Sequence, residues 1–439
     1  MFRRFLMASL AFTGLAVGAC GGGGGELVAL DRIGREDAQN VVSFQQNQSF
    51  THQATTQSWA QGFEGLFEKW ARDNPEWQVD LTVIPDERAV QEQARLLEKA
   101  RVGRAPDCAS VDSFVVPQFV EQGALQPITE HFTKKEINDL FPFVRDIVTG
   151  EDGEIYAWWW NTDLRVLYRR TDLVPEAPAT WDELISAAQQ ATKKDSNVDG
   201  YLYNGGRWEG TTFDNLAHFW SQGGELLSEK GKPIFAQGRN ATYMLNMLKF
   251  LKETIDSGAS PRRVSTIVNY DDFQAAAAAR SVAMFQGGHW QYLELKETLP
   301  PEEFEKWEVS ELPGREPGQF ATGTGGWTIA AFTDDPEKIK MCMDLVKSIY
   351  MGPANDAIGQ LPTQGKLFDT LETFQDPIFQ EFRRQLEDGG KARPGFAIYP
   401  EISEQLQVAI GQILTGELTP EEGLEQVAEE ADKAYARQQ

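Results

Sequence analysis

Cysteine is scarce in this chain: 439 residues contain three, Cys20, Cys108 and Cys342. Thiols so few and so far apart support neither a disulfide framework nor a zinc site. Histidine is nearly as rare, and His52, His131, His218 and His289 show no HExxH or similar spacing, so no metal centre and no cofactor are expected. Cations are the minority charge, 41 Lys plus Arg against 66 Asp plus Glu for a net charge of −25, and no basic cluster interrupts the excess. A groove that follows nucleic-acid phosphates needs clustered cations, so a nucleic-acid partner is excluded. GxSxG, GxxxxGK[ST] and a GxGxxG between strand and helix are all absent. Gly323-Thr324-Gly325-Gly326 comes nearest, but it precedes a strand and lacks the amide-lined helix end that holds phosphate.

With 41% hydrophobic and 24% charged residues, the composition is that of a folded protein, and the length predicts two domains. Met1-Phe2-Arg3-Arg4 followed by an apolar run from Phe5 to Ala19 reads as a secretory signal over residues 1–19. The run is shorter than the roughly 20 residues that span a bilayer. Its end, Val17-Gly18-Ala19-Cys20, resembles the bacterial lipobox, which implies that Cys20 is lipid-modified and anchors the mature chain. Five glycines, Gly21 to Gly25, then form a flexible tether, and the linker is expected to continue to about residue 40. The body should therefore lie outside the cytoplasm, anchored to a membrane. Cys108 and Cys342 sit in apolar contexts, which favours buried free thiols over a bridge.

Trp59, Phe63, Leu66, Phe67 and Trp70 recur at helical spacing, and Val79 to Ile84 alternates with period two as a strand does. Strand and helix continue to alternate to about Tyr168, predicting an α/β fold with a mostly parallel sheet. Capping-box sequences at Thr133, Thr180 and Thr419 mark helix starts. Aromatic residues beside acids in glycine-bounded segments stand out: Trp158-Trp159-Trp160-Asn161-Thr162-Asp163, Gly205-Gly206-Arg207-Trp208-Glu209-Gly210, Gly287-Gly288-His289-Trp290 and Gly325-Gly326-Trp327. Indole matches the apolar face of a sugar ring, and carboxylate or guanidinium matches its hydroxyl rim. Side chains alternate along a strand, so at most Trp158 and Trp160 share a face, and a strand Trp is more often core than platform.

From about Trp59 onward the ordered segments resemble the substrate-binding lipoproteins of ABC sugar importers, in particular the maltose/trehalose-binding branch. The resemblance rests on Ala105-Pro106-Asp107 through Asp112 with Pro117-Gln118-Phe119, Asn161-Thr162-Asp163 through Tyr168, Trp208-Glu209-Gly210, Gly325-Gly326-Trp327, Leu361-Pro362, and Arg393-Pro394 leading into Tyr399-Pro400-Glu401-Ile402-Ser403. It implies a two-lobed periplasmic-binding-protein clamshell with several hinge crossings, residues 41–160 and 290–350 in one lobe and 161–289 and 351–439 in the other. It further implies that Asp112 and Asp163 accept hydrogen bonds from sugar hydroxyls, that Trp327 and Trp290 lie against sugar rings, that the amides of Gly325 and Gly326 donate to the ligand, and that Arg393, Trp208 and Glu209 contribute. The resemblance departs at one point: the branch carries an acid before the first helix where this chain has Gln53 to Gln57, which leaves the identity of the sugar open beyond maltose and trehalose. The implied role is a monomeric, non-enzymatic receptor that hands a di- or oligosaccharide to an ABC permease. The rival is a secreted glycoside hydrolase, with two of Asp112, Asp163 and Glu209 as acid and nucleophile about 5 to 9 Å apart.

Overall fold

The computed structural model of the protein describes residues 26–438; the segment 1–19 expected to be a signal, Cys20 and the glycine run lie outside the described residues. Fourteen strands occur among them: β1 Val28–Ala29, β2 Arg32–Gly34, β3 Asn40–Asn47, β4 Trp77–Ile84, β5 Cys108–Asp112, β6 Ala157–Thr162, β7 Arg165–Arg170, β8 Asp199–Leu202, β9 Val282–Gly288, β10 Trp307–Ser310, β11 Thr322–Thr324, β12 Gly326–Ala331, β13 Leu361–Pro362 and β14 Gly390–Ala392. The larger sheet runs β1-β2-β4-β3-β5-β12-β6-β13, the smaller β10-β7-β9-β8, and β11 pairs with β14 between them. Helices flank both sheets in a two-lobed α/β architecture, and among the described residues no helix is long and apolar enough to cross a membrane.

The larger sheet is mixed, where a mostly parallel one was expected. Only β3 is parallel to its neighbours β4 and β5; β12, arriving from late in the chain, inserts antiparallel between β5 and β6. The expected linker also differs. Val28–Ala29 and Arg32–Gly34 form a hairpin that pairs with β4, with Ile33 fully buried, so the chain is ordered well before residue 40. Strands of two and three residues are too short to show any alternation.

The chain passes from the larger sheet to the smaller at Thr162 to Arg165 and returns between Ser310 and Gly326. Two segments fall on the other side of the expected division: β10 pairs with β7 in the smaller sheet, and β13 pairs with β6 in the larger one. Both follow from ladder pairing of very short segments on either side of a crossing.

Cys108 and Cys342 form a disulfide, which corrects the expectation of free thiols. β5 and the helix Pro336–Leu345 lie side by side although 234 residues separate the two cysteines. Their apolar surroundings correctly indicated burial, since both are wholly inaccessible. Spacing could not show that they touch.

The three successive tryptophans are core. Trp158 stacks on Phe132 at 3.9 Å between centroids, Trp160 meets Phe50 and Tyr350 edge-on, and Trp159, facing the other way, meets Phe143. Thr133 and Thr419 close capping boxes with Glu136 and Glu422. At Thr180 the hydroxyl accepts from the Glu183 amide, but the Glu183 carboxylate reaches back one residue further, to Ala179.

Candidate functional site

Strand register assembles the first wall. Trp327 on β12 is the direct partner of Asp112 on β5 and of Asn161 on β6. Direct partners in an antiparallel ladder point their side chains to one face, so the indole and the carboxylate project together. The bend that starts β12 depends on Gly326, whose φ is +130° and whose added Cβ would stand 2.0 Å from the Asn161 carbonyl oxygen. No other residue fits there. Asn161 Oδ1 accepts the Trp327 amide at 3.0 Å, and Asp163 Oδ1 accepts the Gly325 amide at 2.8 Å. The Gly325 amide is thus committed to Asp163, which corrects the expectation that it is free to donate to a ligand.

The second wall brings groups from the other side. Arg393, just after β14, donates from Nη2 to Asp112 Oδ1 at 2.7 Å and from Nη1 to Glu209 Oε1 at 3.3 Å. Glu209 opens the helix Glu209–Trp220, where the positive end of the backbone dipole favours a carboxylate. It also accepts from the Tyr399 hydroxyl at 2.8 Å and from Ser403 Oγ. The guanidinium of Arg393 lies 4.3 Å from the Phe114 ring centroid and 4.4 Å from that of Phe213. Asp112 is 4% exposed and Arg393 5%, so the pair is out of water. Burial pushes the Asp112 carboxyl up to about 6; Arg393 opposes the rise, and the neighbouring carboxylates Glu209 and Asp163 add to it.

Trp208 and Trp290 are half-buried, and each meets the Tyr270 ring edge-on, at 5.2 and 4.8 Å between centroids. Four residues absent from the sequence-based set complete this side: Arg165, Phe213, Asp214 and Tyr270. Arg165 between Leu164 and Val166, and Asp214 next to Phe213, were the available signals, because charges that are buried with apolar neighbours require partners. The Gln53 amide is not among the grouped residues; it donates to the Leu30 carbonyl of the β1–β2 hairpin at 2.6 Å. Beside Arg393, a cavity of about 680 Å³ opens between the helix Pro142–Val148 and β14, lined by Phe143, Asp146 and Lys391 among others. None of Trp208, Trp290 and Trp327 lines it, so it adjoins the cluster and is not its mouth.

In chemical terms the cluster offers carboxylates, guanidinium groups and indole rings contributed by both sheets, and no group of acidic, His or Cys side chains among the described residues could hold a metal.

The model of the bacterial extracellular solute-binding proteins matches residues 53–348. A probable ABC transporter-binding protein of Deinococcus radiodurans is 28% identical over 320 residues, 67% of this chain and 72% of that one. The maltotriose-binding protein of Pyrococcus abyssi is 23% identical over 328 residues, 70% of this chain and 66% of that one. Among solved structures, maltose-bound MalE3 of T. maritima superposes with a TM-score of 0.77 at 22% identity, covering 90% of this chain and 99% of that one. The family match spans well over half of the sequence, and the chain belongs to the bacterial extracellular solute-binding proteins.

Proposed function

We propose that this protein is a carbohydrate receptor of an ABC importer, which encloses a di- or oligosaccharide between its lobes and releases it unchanged to a permease. The observation that carries this reading is the meeting of Asp112 and Trp327, from the larger sheet, with Arg393 and Glu209 from the other side. A saccharide placed there would lay a C–H face on Trp327 or Trp290 and offer hydroxyls to Asp112, Asp163, Glu209 and Arg393, with Trp208 at the edge. Closure removes water, so each hydroxyl must find a partner in the protein. The sugar drives closure only through its preference for the closed form; moving the population from 1:99 to 99:1 takes about 5.5 kcal/mol.

Holding suits these acids better than hydrolysis does. Asp112 and Glu209 share Arg393, and Asp163 is tied to the Gly325 amide, whereas a glycosidase needs one carboxyl free to donate a proton and another free to attack. The relatives support the same choice: one is named for ABC transport and another for maltotriose. Incubation with maltose, trehalose, sucrose and maltotriose, followed by tryptophan fluorescence and product analysis, tests it. A receptor changes its emission and returns intact sugar; release of reducing ends would establish the hydrolase instead.

The anchor belongs to the same proposal. Cys20 after Val17-Gly18-Ala19, with the glycines that follow, suits a monomer tethered by lipid on the outer side of a membrane. Cys20→Ser should move the protein into the soluble fraction, and continued membrane retention would overturn the assignment.

A further inference from the structure

We infer that Arg165 is a positioning residue for sugar binding, holding Asp163 and the Trp290 ring in place although it is itself buried beneath both. The inference rests on the receptor reading above. Arg165 is 3% exposed and is the first residue of β7, immediately after the crossing from the larger sheet. Its Nε donates to Asp214 Oδ1, its Nη2 donates to the Tyr270 hydroxyl at 2.9 Å, and its Nη1 lies 3.2 Å from Asp163 Oδ1. Asp214 is wholly buried and fully engaged: besides Arg165 it accepts from the Tyr270 hydroxyl at 2.8 Å and from Asn204 Nδ2 at 2.8 Å. Two arms of the guanidinium are therefore fixed, one by the wholly buried Asp214 and one by the Tyr270 hydroxyl, and the third, Nη1, is held within ion-pairing distance of Asp163 without a hydrogen bond of its own.

The same cation lies 5.2 Å from the Trp290 ring centroid, 5.4 Å from Tyr270 and 4.4 Å from Phe213. Its planar group fills the space behind Trp290, while Tyr270 meets that indole edge-on. Asp163, Asp214, Tyr270 and Trp290 come from four different segments, and this guanidinium is their common neighbour. The backbone is pinned as well, since the Arg165 amide donates to Thr322 Oγ1 at 2.7 Å and Thr322 Oγ1 donates to the Arg165 carbonyl at 2.9 Å. Lysine keeps the charge but has no planar fork, so it can satisfy Asp214 or Asp163 but cannot orient both.

The experiment is a double-mutant cycle on sugar affinity, using the sugar among maltose, trehalose, sucrose and maltotriose that binds the wild-type protein most tightly. Arg165→Lys should raise Kd at least tenfold in the wild-type background and less than about threefold in Asp163→Asn, because the residue acts through Asp163. The same factor in both backgrounds would mean a merely structural role and overturn the inference. Thermal melting of all four proteins identifies any variant that fails to fold. Should Arg165→Lys fail to fold, Tyr270→Phe, which removes the hydroxyl between Arg165 and Asp214, takes its place with the same expected pattern. A wild-type protein that binds none of these sugars would sink the receptor reading and this inference with it; binding with an additive cycle sinks this inference alone.

Discussion

Asp112 and Trp327 are direct partners across the β5–β12 ladder, although 214 positions of chain lie between the two strands' contributions and β12 enters the sheet only after the chain has built the smaller one. The pairing turns an acid and an indole toward the same space by register alone. Arg393, arriving later still, bonds the acid from the opposite side. The site is thus a product of the crossings, and the crossings are what a two-lobed receptor moves.

Trp327→Ala should raise the sugar Kd at least tenfold while leaving circular dichroism unchanged. The side chain is half-buried on the sheet face and its amide stays bonded to Asn161, so truncation removes a ring surface without freeing the backbone. An unchanged Kd by titration calorimetry would remove Trp327 from the site.

Asp163→Asn should weaken binding by roughly tenfold to a hundredfold, the range of about 1.5 to 3 kcal/mol for hydrogen bonds to a charged group. Asp37→Asn, at a carboxylate with its side chain 72% exposed, serves as the control and should leave Kd unaltered. Equal effects of the two substitutions would contradict the role given to Asp163.

The disulfide should stabilise the protein without touching ligand affinity. Cys108 begins the strand that ends in Asp112, yet it is wholly buried and far from the cluster along that strand. Replacing both Cys108 and Cys342 by Ser should cost about 2 to 5 kcal/mol in denaturant unfolding and shift the sugar Kd less than threefold. Unchanged stability would argue that the bridge does not form in solution.

Stability should carry a pH signature of Asp112. Its carboxyl is pushed up to about 6 by burial, against roughly 3.9 in an unfolded chain, so the folded state holds this proton more tightly. The contribution is complete below about pH 4 and is lost as pH rises through 6. The melting temperature of wild type minus that of Asp112→Asn should therefore fall between pH 4 and pH 7; a difference that is flat or rises with pH would contradict the assignment.

Much of this architecture was readable in the residues. Trp59, Phe63, Phe67 and Trp70 do bury one face of the helix Gln57–Asp73, and of the residues flagged in glycine-bounded segments Glu209 meets Arg393 while Trp208 and Trp290 meet Tyr270, whereas Trp158, Trp159 and Trp160 lie in the core. Three kinds of feature were not readable. Very short strands such as β1, β2 and β10 have no period, and their place comes from the ladders they join. Contacts between distant positions, such as Cys108 with Cys342 or Asp112 with Arg393, leave no mark in spacing. Arg165 and Asp214 are 49 positions apart and neither carries a spacing signal that links it to the other; only the fold shows that they neutralise each other.

The central claim is that an intact saccharide is held between the two lobes. Small-angle scattering of the purified protein with and without a saturating sugar from the four-sugar panel, with mass spectrometry of the recovered ligand, tests it most directly. The account predicts a smaller radius of gyration with sugar bound and a recovered ligand of unaltered mass. A protein whose dimensions and stability ignore every sugar, or a ligand recovered as its hydrolysis products, would contradict it.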